Sequence, residues 1–143
     1  MVYAAPHIIQ PLNGATLQYN AKDKSSGTDS ITFAWLPVGE LEGGTQPCTW
    51  ANQPQGTQAY LYDRYQLEFT PPVISKYGVY AVFHNDHGLN REFNLREFQP
   101  DVAYTWRVGV GRWCVAKDYD NQDPKHQGFL GLVSPYTEQG SPP

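Results

Sequence analysis

The residues from Phe98 to Val110, Phe-Gln-Pro-Asp-Val-Ala-Tyr-Thr-Trp-Arg-Val-Gly-Val, restrict the fold more than any others in the chain. Tyr104, Trp106, Val108 and Val110 alternate with Thr105, Arg107 and Gly109. A period of two puts those four apolar side chains on one face of a strand and the polar or small ones on the other. Phe98 and the turn-forming Pro100 stand just upstream, so Tyr104 opens the strand directly after a corner. A Tyr in that position predicts the hydroxyl-to-backbone bond of a β-sandwich corner. Phe98, Tyr104, Trp106 and Val108 are therefore read as core. The stretch speaks to fold and says nothing of function.

The rest of the chain agrees with an all-β reading. Its 143 residues suffice for one domain with a real core. Ten Tyr, four Trp and six Phe are punctuated by 13 Gly and 12 Pro, and no 15-residue window carries a helical stripe. Ile31, Phe33 and Trp35 repeat the alternation, placing Trp35 in the core, and Pro37 ends that strand. Leu61, Tyr65, Leu67 and Phe69 share one face of a strand over Tyr60–Thr70, which Pro71-Pro72 should close. Further strands are expected at Pro6–Pro11 (an edge, followed by a turn), Tyr77–Phe83 and Phe129–Val133, with a turn at Asn85–Gly88. Asn20–Ser30, Gly39–Gly56 and Lys117–Gln127 read as loops. The domain is bounded at 6–137, with tails at 1–5 and 138–143, the second linker-like in composition.

Phe98-x-Pro100-x-x-x-Tyr104-x-Trp106-x-Val108 resembles the E–F corner and F strand of fibronectin type III-like domains, and Tyr104-x-Trp106-Arg107-Val108 is similar to bacterial versions. Ile31-Thr-Phe33-Ala-Trp35 resembles their B strand, Pro11-x-x-Gly14-Ala-Thr-Leu17 the preceding turn, and Tyr65-x-Leu67 their C strand. The resemblance spans Pro6 to about Thr137 and implies an antiparallel β-sandwich of about seven strands, enlarged by long B–C and F–G insertions. It also implies that both insertions emerge at one end of the sandwich.

On that map Cys48 lies in the B–C insertion and Cys114 at the start of the F–G one, so the resemblance implies a Cys48–Cys114 disulfide and an oxidising compartment. Two free thiols in a cytosolic domain are the alternative. Neither Cys has a second Cys or His at metal-ligand spacing. No basic-then-apolar leader opens the chain, so an extracellular or cell-surface protein would have Met1 standing before its mature sequence. The longest apolar run, Gly78–Phe83, is too short to span a bilayer.

Chemistry-bearing residues are sparse. A net charge of −4 argues against nucleic acid, and Arg107, Arg112 and Lys117 read as a solvated face. His84, Asp86 and His87 read as turn residues rather than metal ligands. Asp118, Asp120 and Asp123 have calcium-loop spacing but lack the Gly and the bidentate Glu of an EF-hand, so a solvated loop is the default. There is no nucleophile elbow, no implied cofactor and no expectation of catalysis. Trp50, Tyr60, Tyr62, Trp113 and Tyr119 lie in or beside the two insertions. They form either an aromatic platform for sugar or protein, or a small second core. The expectation is a non-catalytic extracellular module with a structural, adhesion or assembly role in a larger surface or filament-like protein. Its partners would be proteins or neighbouring domains, with neither nucleic acid nor membrane insertion. A carbohydrate-binding module is the alternative.

Overall fold

Two long neighbouring strands organise the molecule, paired without a break from Ala59↔Ala116 to Thr70↔Thr105. The computed structural model describes residues 2–12, 30–75, 78–117 and 126–137. Among them, eight strands run in the order β1 (Ile8–Gln10), β2 (Ser30–Trp35), β3 (Gly43–Pro47), β4 (Ala59–Ser75), β5 (Gly78–His84), β6 (Asn90–Asn94), β7 (Thr105–Ala116) and β8 (Gln127–Leu132). They form two antiparallel sheets: β1-β2-β6, and β3-β4-β7-β8 with β5 also on β4. The architecture is an all-β sandwich.

The core lies where the inward faces meet. Ile31, Phe33 and Trp35 of β2 and Phe93 of β6 face Tyr65, Leu67 and Phe69 of β4 and Trp106, Val108 and Val110 of β7, all buried. Phe33 meets Trp106 at 4.9 Å and Phe69 at 5.1 Å, both edge-on, the arrangement that aromatic quadrupoles favour. Phe98 is half-buried and packs on Phe33, Phe69 and Phe93. Tyr104, just ahead of β7, stacks edge-on against Phe98, and its hydroxyl accepts a hydrogen bond from the Gln99 N–H at 2.9 Å. That is the corner expected from Pro100 and Tyr104.

Several expectations are corrected. Gly39–Gly56 contains β3, whose Gly-Gly-Thr-Gln-Pro sequence has no apolar alternation and which is a strand because β4 offers a free edge. Pro71-Pro72 does not close β4. The β4–β7 ladder ends at Thr70, and the β4–β5 register shifts between Glu68 and Val73, so neither Pro has a ladder bond to donate. The eight strands among the described residues bear out the expected sandwich of about seven. Cys114 and Trp113 lie inside β7, not in a loop, because the ladder runs on to Ala59↔Ala116. β1 is a short edge strand, as expected of a Pro-flanked segment. The turn at Asn13–Leu17, most of the loop at Asn20–Ser30 and most of the F–G insertion lie outside the described residues.

Candidate functional site

The end of the sandwich reached by Cys48 and Cys114 is built on the first half of β4 and the second half of β7. Their register pairs Leu61 with Cys114, Tyr62 with Trp113 and Asp63 with Arg112. Directly opposed residues share a face. Cys114, Arg112, Leu61 and Asp63 therefore follow Val108, Val110, Tyr65 and Leu67 on the inner face, whereas Tyr60, Tyr62, Arg64, Trp113 and Val115 face outward.

The inner side is closed by three devices. The Cys48–Cys114 disulfide is formed, with its Cα atoms 5.9 Å apart across a separation of 66 residues. The Cys48 N–H donates to the Ala59 carbonyl at 3.0 Å, so the chain after β3 laps over the inner face. Trp50 is carried with it. A side chain at Gly128, which pairs with Cys114, would run into the Trp50 ring, so only Gly fits beneath it. The third device is Asp63, fully buried, which accepts from Arg112 Nε at 2.8 Å and Nη2 at 2.9 Å.

Tyr3 completes that arrangement. Its hydroxyl donates to Asp63 Oδ2 at 2.7 Å and accepts from the Glu42 N–H, while its own N–H donates to the Val133 carbonyl. Burial, and then the hydrogen bond to Asp63, push the Tyr3 hydroxyl above its ordinary pKa; the same carboxylate raises that of Arg112. Arg112 is therefore no part of a solvated face. Alternation at Val108 and Val110 carries it inward, and Asp63 is there to meet it. Arg107 does face outward, bound to Glu68 at 2.6 Å and lying over the Tyr136 ring at 4.0 Å. Lys117 is exposed.

The outer side is aromatic and cationic. Trp113 is flanked by Phe129 at 5.1 Å and His84 at 4.8 Å, with the Arg64 guanidinium 5.7 Å from its ring. Arg64 also donates to Gln127 at 3.0 Å and pairs with Asp86 at 3.3 Å. Desolvation, and then the charge of Arg64, hold the His84 imidazole below its ordinary value. Beside this cluster a shallow cavity of about 430 Å³ is lined by Tyr60, Tyr62, Arg64, Val115, Lys117 and the backbone near Gly44 and Ala116.

The five aromatic residues picked from the sequence are thus not one cluster. Tyr60, Tyr62 and Trp113 share the outer face; Trp50 lies on the opposite side of the sheet, over the disulfide. Tyr119, Asp118, Asp120 and Asp123 lie outside the described residues. Asp86 and His87 are exposed turn residues, and His84 ends β5. Among the described residues no three His, Cys, Asp or Glu side chains are grouped to hold a metal ion.

Asp63, Arg112 and Tyr3 were not singled out as a unit by sequence. Counting parity along both strands would have found the first two, since each is spaced by twos from residues assigned to the core. Tyr3 carries no such signal. The chain matches no protein-family model, no curated protein and no solved structure.

Proposed function

We propose that this chain is a non-catalytic, fibronectin type III-like module of an extracellular protein, with a structural, adhesion or assembly role within a larger surface or filament-like structure. The observation that carries the reading is an exposed, uncharged edge. Gly78–Phe83 of β5 pairs only with β4 among the described residues and leaves Val79, Tyr80 and Val82 exposed. A sheet edge of this kind is a surface for contact with another chain. The tyrosine corner and the sheet order support the family resemblance. The disulfide supports the compartment, since such bonds persist where thiols are not kept reduced. The test is adhesion. Beads coated with the oxidised protein should cluster or bind surfaces from its source, and beads that do neither contradict the module reading.

The outer face favours a second reading, carbohydrate binding. Tyr60, Tyr62 and Trp113 stand on one face beside a cavity that also presents Arg64 and Lys117. Aromatic faces with polar groups at their margin suit sugar rings. Titration with soluble glycans should then give binding that Tyr60→Ala and Tyr62→Ala abolish at unchanged Tm. No binding across a broad glycan panel removes this reading.

A further inference from the structure

The two sheets present five edge strands among the described residues, and four of them are guarded. β1 has three residues and is followed by Pro11; β3 has five, begins Gly-Gly and ends at Pro47. β6 carries Arg91 and Glu92. β8 is kinked by a register shift between Arg112 and Trp113, near Gly131 at φ +118°, and Tyr3 donates to the carbonyl of Val133 just beyond its end. Short length, Pro, charge and bulges are the devices that keep sheet edges from pairing with other chains.

β5 itself carries no Pro and no charge from Gly78 to Phe83; Gly78 at φ +140° begins it, and the register shift against β4, between Glu68 and Val73, puts the extra residues on β4 and not on the edge. Val79 is 63% exposed, and Ile74 beside it on β4 is 44% exposed. The charges near β5 are already engaged: Glu68 is bound to Arg107, and Arg91 of β6 lies over Phe83 at 5.0 Å and donates to the His84 carbonyl at 2.8 Å.

We propose that β5 pairs antiparallel with β5 of a second copy, making one continuous sheet across a two-fold axis at Ala81. This rests on the module reading and names its partner as the chain itself. In that register Val79 faces Phe83, Tyr80 faces Val82 and Ala81 faces Ala81, so no charge meets a like charge. That complementarity matters in a chain of net charge −4, whose copies repel one another elsewhere. A single seven-residue edge falls below the roughly 1,200 Å² of a stable interface. The pairing is therefore weak, with a Kd on the order of 10 μM or above, and gains strength when modules are arrayed along one filament.

Sedimentation of the oxidised full chain from about 1 μM to about 1 mM, the range that brackets such a Kd, reads this directly. The wild type should pass from monomer to dimer, and Val79→Lys with Val82→Lys should weaken association at least about 10-fold at unchanged Tm. A wild type that stays monomeric, or a double variant that associates like wild type, overturns the proposal. Mild oxidation of Ala81→Cys should give a covalent dimer on a non-reducing gel, while Leu130→Cys on β8 should not. The reverse outcome assigns the contact to β8 and also overturns it. A monomer that still makes coated beads adhere to a foreign surface removes β5 pairing and leaves the module reading in place.

Discussion

The two ends of the β4–β7 ladder are held together by different physics. Around Phe69↔Trp106 the inner face is aromatic on every side: Phe33, Phe93 and Phe98 meet Phe69 at ring distances of 5.1–5.7 Å. Around Asp63↔Arg112 a carboxylate and a guanidinium take inner positions between Leu61, Cys114, Tyr65 and Val110, and that end is held by a buried ion pair, a tyrosine hydroxyl and a disulfide. Apolar burial is non-directional and cooperative, and it stabilises in proportion to area. The latched end depends on single bonds, each with a specific partner. An aromatic end can lose shape gradually; a latched end fails at one residue.

This contrast is exposed most strongly by truncation. Trp106→Ala should cost about 5 kcal/mol, since it removes a ring that touches both Phe33 and Trp35 and leaves a cavity. Chemical unfolding should show the loss as a lower midpoint at constant m.

Next comes the latch. Asp63→Ala strands Arg112 at the inner face and deprives Tyr3 of its acceptor, at a cost of about 4 kcal/mol. Asp63→Leu with Arg112→Leu should recover most of it, because no unpaired charge remains. A double variant as unstable as the single one would mean that the ion pair itself, not its completeness, holds that end.

Tyr104→Phe should cost about 1 kcal/mol, the value of one hydrogen bond from the Gln99 N–H, and thermal melts suffice to see it.

The smallest effect is that of pH on the outer face. His84 titrates below its ordinary 6.5 in the folded chain, so the unfolded chain binds the proton more readily. Stability from this source is intact above pH 6.5 and falls as pH drops through 6.5 towards the folded value. Replacing His84 by Asn should flatten that part of the stability–pH curve, and an unchanged slope would assign it to other groups.

The aromatic end was legible in the sequence because its pattern is undiluted. Tyr104 to Val110, Ile31 to Trp35 and Tyr65 to Phe69 alternate without exception, and each strand lies where the alternation puts it. At the latched end the same period continues through Asp63 and Arg112, whose chemistry suggests solvent when read one residue at a time. The disulfide was reachable only through the resemblance that brought its two segments to one pole. The separation of Trp50 from Trp113 was not legible at all. It follows from a loop folding back over the inner face, and no period in Cys48–Gly56 encodes that path. β3 was missed for a similar reason, since a free edge, not its own sequence, makes it a strand.

Hydrogen exchange along the β4–β7 ladder, before and after reduction of Cys48–Cys114, tests the division most directly. Reduction removes a cross-link over 66 residues, worth on the order of 4 kcal/mol in the chain-entropy picture. The amides of Ala59–Tyr62 and Trp113–Ala116 should lose protection most, while those of Leu67–Phe69 and Trp106–Val108 remain the slowest in the chain. Equal loss of protection at both ends, down to the same rate, would show a single cooperative core and contradict the account.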